Sequence, residues 1–209
     1  HVDTVPPFIA PRLTDGRIHG RGACDAKGIA ASMICAAERL RHDNVPVGLL
    51  FVVGEEVTHD GAHAANEAFA ARRVPATSRA IINGEPTEST LALGTKGAVR
   101  VIVRTTGQAA HSAYPHLGRS ATRDLVHLLA ELENVDFPND PVLGETTVNI
   151  GTIRGGTEAN IVPDLCEAEL MFRLVGDVAP LRKSLTKWAG DRAELEWGSY
   201  IPAQHFHTI

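Results

Sequence analysis

Apolar positions along the chain follow two regimes that meet near Gly94. In the first, residues 47–53 (VGLLFVV) and 80–83 are short continuous apolar runs ending in polar residues, while residues 26–41 and 61–71 are alanine-rich and of helical length. A continuous apolar strand is one buried on both faces, so such runs alternating with helices predict an α/β architecture, a sheet covered on both sides. Residues 17–22 read as a short extended piece ending in glycines, and the segment before them as a proline-bearing loop. Beyond Lys96 the pattern changes to alternation. Residues 98–104, 146–154, 165–175 and 193–200 read as strands, and residues 119–133 and 178–189 as helices. The order β-α-β-β-α-β is that of a ferredoxin-like α+β unit of about 100 residues. A boundary near Gly94 gives domains of residues 1–94 and 95–202.

Composition narrows the partners. With 44% hydrophobic and 22% charged residues over 209 positions, the chain can bury a core as one large or two small domains. A formal net charge of −5 and a pI near 6.1 give no field to hold nucleic acid or anionic lipid, and no Lys/Arg cluster gives a local one. Neither is expected as a partner. No apolar stretch approaches the roughly 20 residues that cross a bilayer, so no membrane span is expected. Cys24, Cys35 and Cys166 are few, scattered and without C-x-x-C spacing, which points to a reducing, cytoplasmic setting. The chain opens at His1 without a Met or signal peptide and stops at Ile209 just after a strand-like run, so both ends read as cut, with any targeting signal lost.

The candidate chemistry gathers at the ends of the first-regime runs. His1 and Asp3 stand two apart, so on an extended segment both point to one face and Asp3 can orient the His1 imidazole as a metal ligand; short His/Asp pairs are also common in loops. Asp25 lies in a glycine-bracketed turn (GRGACDAKG, residues 20–28) before a helix, where it serves either as an N-cap or as a carboxylate aimed at cations. The turn has a superficial likeness to a dinucleotide fingerprint, but the third glycine is replaced by Asp25, whose charge would repel a pyrophosphate. Glu55 and Glu56 follow an apolar run directly. They are either a solvated loop pair or a division of labour, one holding a metal while the other takes a proton from water. Glu85, in Gly84-Glu85-Pro86-Thr87, repeats the device after the next run.

This ordered set resembles the M20 metallopeptidases, the family of acetylornithine deacetylase, succinyl-diaminopimelate desuccinylase, glutamate carboxypeptidase and aminoacylase. The likeness rests on H-x-D at His1 and Asp3, G-R-G-x-x-D-x-K-G at residues 20–28, E-E at Glu55 and Glu56, and G-E-P-T at residues 84–87. It implies a zinc-exopeptidase-like catalytic α/β sandwich, incomplete here, with an inserted ferredoxin-like α+β lid and dimerisation domain, residues 203–209 starting the return to the catalytic domain. It implies two zinc ions, with cobalt or manganese as substitutes. Asp25 would bridge the two ions, Glu56 would bind one, His1 and Glu85 the other, and Glu55 would be the general base. In the lid, residues 107–115 (GQAAHSAYP) resemble the loop whose His, here His111, reaches a partner subunit's active site and polarises the scissile carbonyl. Residues 155–163 resemble the segment whose Asn, here Asn160, meets the substrate carboxylate, and Arg173 resembles the strand Arg that pairs with it. A guanidinium is the natural bidentate partner of a carboxylate.

Two departures accompany the likeness. The family's fifth ligand, a His from the C-terminal return, has no match in this chain; His205 and His207 are poor candidates, so the chain alone is expected to be inactive. Where relatives carry Asp, Asn or Met after the bridging Asp, this chain has Ala26, at a bond the family holds in the cis form. The resemblance thus implies a homodimeric hydrolase of N-acyl amino acids or small peptides. A non-catalytic dimerisation or binding module of the same fold is the alternative, opposed by the intact acidic set. A serine hydrolase is disfavoured because no G-x-S-x-G elbow occurs.

Overall fold

The computed structural model describes residues 1–73 and 80–206. The chain divides into two compact units, His1–Leu91 and Ala92–Ile209. In the first unit, β1 (Arg12–Thr14) and β2 (Arg17–His19) pair antiparallel. Asp15 and Gly16, at φ 51° and 72°, form their two-residue turn; Asp-Gly is a favoured pair where both central residues need positive φ. This hairpin falls partly in the segment read from sequence as loop. A wide turn over Ala23–Gly28 then feeds α1 (Ile29–His42), and α2 covers Asp60–Ala70.

Two sequence expectations fail in this unit. Residues 47–53 and 80–83 are not strands. Their side chains stand open, Leu50 at 61% and Ile81 at 90% exposure. An apolar run specifies that a segment should be buried, but a strand also needs a ladder partner, which the run does not encode. The first run is met by Val2, whose N–H donates to Val52 O (3.0 Å), and by Gly61, whose N–H donates to Val53 O (2.9 Å). Among the described residues the catalytic α/β sandwich is therefore present only in part.

The second unit is complete in its topology. β3 (Gly97–Thr106), α3 (Ala121–Ala130), β4 (Thr147–Gly155), β5 (Leu165–Leu174), α4 (Val178–Ala189) and β6 (Glu194–Ile201) follow in the expected β-α-β-β-α-β order. The sheet runs β6-β3-β5-β4, every neighbour antiparallel, which is the ferredoxin-like arrangement. Strict alternation builds its one-sided core. Val99, Val101 and Val103 of β3 and Cys166, Ala168, Leu170 and Phe172 of β5 face the helices, which answer with Leu125, Leu128, Leu181 and Leu185. Each helix begins at a side-chain cap, Ser120 Oγ accepting from Arg123 N–H and Asp177 Oδ1 from Ala179 N–H. Trp188 of α4 donates from Nε1 to Leu128 O of α3 (3.1 Å), so the two helices are joined by a directional bond within the apolar layer.

Candidate functional site

In the first unit the motifs of the sequence converge on one point. His1 Nε2 lies 2.8 Å from Asp25 Oδ1 and 3.7 Å from Glu55 Oε2. One ligand atom each from His1, Asp25 and Glu85 lies within 4.8 Å of the others, three donors brought together from three distant stretches of chain. Asp3 sits behind the ring: its Oδ1 is 3.3 Å from His1 Nδ1, and its Oδ2 accepts from Glu56 N–H (3.2 Å). Glu56 thus anchors Asp3 through its backbone, and its carboxylate is not among the three that converge.

Two glycines explain the local folding. Gly22 adopts φ 78°, and a Cβ there would come within 2.6 Å of Thr4 Cγ2, so only glycine lets the turn carrying Asp25 close on the His1 segment. A Cβ on Gly84 would lie 2.6 Å from Ile29 Cγ2, so its absence lets the Glu85 segment approach α1. The Asp25-Ala26 peptide is cis.

The electrostatics follow from crowding acids around a shielded ring. The His1 side chain is 1% exposed, and that burial by itself lowers its pKa. The hydrogen bond to Asp25 and the charges of Glu55, Glu85 and Asp25 outweigh it, and the imidazole is held above its ordinary value. Glu85 is raised by burial first and by Glu55 next; His1 opposes the shift, and Asp25 and Glu56 add to it. Burial pushes Asp3 up, but the N–H groups of Glu56, Asp3 and Glu55, with His1, hold it below its ordinary value. His1 Nδ1 and Asp3 Oδ1 are both buried without a hydrogen-bond partner. One imidazole and several carboxylates converged on a point, one of them forced toward protonation, fit a divalent cation of the kind that takes nitrogen and oxygen ligands.

The second unit carries the residues expected to meet substrate. His111 and Asn160 are neighbours: Ala110–His111 pairs with Ile161–Val162, and Ser112 N–H donates to Asn160 O (2.9 Å). Arg173 is elsewhere. On β5 it pairs with Ala98 and Thr147, whereas the His111 loop and the Asn160 turn leave the sheet at the opposite end, where Leu165 pairs with Thr106. At about 3.3 Å per residue, the strand alone separates Arg173 from Leu165 by roughly 26 Å. Asn160 and Arg173 therefore do not lie together within a single protomer; the spacing of 13 in sequence conceals an extended strand. His205 has a structural partner, Asp140 Oδ2 at 3.0 Å, and His207 lies outside the described residues. Among the described residues, no helix is long and apolar enough to cross a membrane.

Comparison with known proteins bears on the family. Residues 93–194 match the peptidase dimerisation domain. The chain is 37% identical to a peptidase M20 domain-containing protein of Schizosaccharomyces pombe, the alignment covering 98% of this chain and 51% of that protein. It is 38% identical to a probable carboxypeptidase of Aspergillus terreus, covering 100% and 53% of the two. The crystal structure of aminopeptidase PepT from Bacillus cereus superposes with a TM-score of 0.63 at 26% identity, over 96% of this chain and 56% of that one. These likenesses are to proteins named as peptidases, and the second unit matches the dimerisation domain of peptidases. It belongs to the M20 family. The chain spans about half the length of the curated relatives it matches.

Proposed function

We propose that the whole protein is a two-zinc hydrolase that cleaves the amide bond of N-acyl amino acids or small peptides bearing a carboxylate. The observation that carries this reading is the convergence of His1, Asp25 and Glu85, with Glu55 3.7 Å from the His1 ring. His1, Asp25 and Glu85 would hold one ion, and Asp25 with Glu56 the other; cobalt or manganese would substitute. Metal bound there supplies positive charge that acidifies water and polarises a carbonyl. Asp3 fixes the His1 ring. Glu55, a carboxylate beside the ligands and outside their converged trio, takes the proton of the attacking water and returns it to the leaving amine. His111 donates a hydrogen bond to the oxygen on which negative charge develops. Asn160 and Arg173 bind the substrate carboxylate.

The strand that separates Asn160 from Arg173 supports a homodimer through the second unit, in which Asn160 of one protomer serves the same substrate as Arg173 of its partner. The names of the relatives, carboxypeptidase and aminopeptidase, favour peptides over other amides. A cytoplasmic setting is part of the proposal.

The test uses the complete parent protein on a panel of N-acetyl, N-succinyl and unmodified dipeptide substrates, before and after chelation and zinc restoration. Chelator-sensitive cleavage that Glu55→Gln abolishes without loss of metal is expected. Cleavage of no panel member at full metal occupancy, or near-full turnover by Glu55→Gln, would overturn it.

A further inference from the structure

The loop of residues 107–119 is tied down along its length. Gln108 and Arg119 exchange backbone hydrogen bonds of 2.8 and 2.9 Å at its base, and Ala110 and His111 pair with Val162 and Ile161 above them. The chain then turns back on His111. Tyr114 N–H donates to His111 O (2.8 Å), and Ala113 N–H donates to His111 Nδ1 (3.1 Å). Two successive amides thus hold one residue, the first by its ring and the second by its carbonyl.

The ring contact carries chemical information. A ring nitrogen that accepts from an amide presents its lone pair and bears no hydrogen, and the amide cannot act as acceptor in return. In a neutral imidazole the hydrogen must then sit on the other nitrogen, since the hydrogen bond at one ring nitrogen decides what the second offers. We propose that the Ala113 amide is a positioning group that fixes His111 as the Nε2–H tautomer, so that this exposed ring offers its ligand a hydrogen-bond donor. The inference rests on the reading in which His111 polarises the scissile carbonyl. A carbonyl oxygen needs a donor; the Nδ1–H tautomer would direct a lone pair at it. The pairing of the His111 strand with the Asn160 turn keeps the backbone beneath the ring in place.

The experiment is a long-range ¹H–¹⁵N spectrum of the ¹⁵N-labelled chain, recorded where His111 is neutral and assigned with His111→Asn. A protonated Nε2 and a bare Nδ1 are expected. Ala113→Gly keeps the amide and should keep the tautomer; Ala113→Pro removes the amide and should give a mixture of the two forms. An Nδ1–H form in the unaltered chain would overturn the assignment even if the proline variant failed to fold, and so would an unchanged tautomer in a folded Ala113→Pro. In the complete protein Ala113→Pro should lower kcat by up to about 10²–10³-fold, the loss of one oxyanion donor, with KM little changed. The expected tautomer together with undiminished turnover by His111→Asn would sink the catalytic role given to His111 and leave the tautomer assignment standing.

Discussion

Asp3 offers the sharpest test of the metal reading, because it stands behind the ligands and is not one of them. Its Oδ2 is fixed by the Glu56 N–H at 3.2 Å, and its Oδ1 lies 3.3 Å from a ring that is only 1% exposed. Those contacts keep the carboxyl ionised into the acid range, so at neutral pH a negative charge stands against His1 Nδ1 and favours the Nδ1–H tautomer, whose Nε2 lone pair is open to a cation in place of the hydrogen bond that Nε2 donates to Asp25. Asp3→Ala removes the charge and frees the ring to turn, while all the proposed ligands stay in the chain. Removal of such an outer partner costs about 10–100-fold in metal affinity. Asp3→Asn, which can still accept from Glu56 N–H but lacks the charge, should fall between parent and alanine variant. The assay is competition for zinc between the 209-residue chain and a chromophoric chelator at near-neutral pH. Asp140→Ala, which deletes a carboxylate from the other unit, is the control that should leave affinity unaltered. Affinity of Asp3→Ala within about twofold of the parent would refute the argument, since an orienting partner cannot be removed so lightly.

Other outcomes follow from the second unit. Phe172 is fully buried and meets Phe137 edge-on at 5.5 Å, so Phe172→Ala should destabilise that unit by about 3–5 kcal/mol, read as a lowered thermal midpoint; a loss under about 1 kcal/mol would show that the core is not packed as described. Asp140 is held below the ordinary carboxylate value of about 4 by Leu143 N–H first, then by Val142 N–H and His205, with burial opposing. Its folded pKa being the lower one, its stabilising contribution is present above the ordinary value and disappears as pH falls through the folded value. Asp140→Ala should accordingly be less stable than the parent in neutral denaturant melts, with the gap closing in acid; a gap independent of pH would contradict this. Sedimentation of the complete protein at micromolar concentration should give a dimer, and a monomer throughout would remove the basis for joining Asn160 to a partner's Arg173.

The second unit was legible because its information is local. Alternation such as Val99, Val101 and Val103 states which face is buried, and the helices that cover it lie between the same strands in sequence, so pattern and topology agree. The convergence in the first unit was legible for a different reason: His1, Asp25 and Glu85 are distant in sequence, but the turns that carry Asp25 and Glu85 contain Gly22 and Gly84, whose identity is dictated by close approach. What the sequence hid depends on partners. The run of residues 47–53 has the composition of a buried strand, yet nothing in it states who supplies the ladder. The separation of Arg173 from Asn160 needed the register of β5, and the Ala113 contact involves a backbone amide, whose direction leaves no trace in residue identity. Asp15-Gly16 was a readable turn signal that the proline-bearing surroundings obscured.

The length of β5 has a genetic consequence. If each substrate draws Asn160 from one protomer and Arg173 from the other, the two residues belong to different cistrons whenever the gene is present in two versions. A chain lacking Asn160 and a chain lacking Arg173, each inactive as a homodimer, would assemble into mixed dimers with one site doubly broken and the other whole. Random pairing makes half of all dimers mixed, so about a quarter of the sites would work again. On that reading the sheet would act as a spacer that lets two silent alleles complement each other.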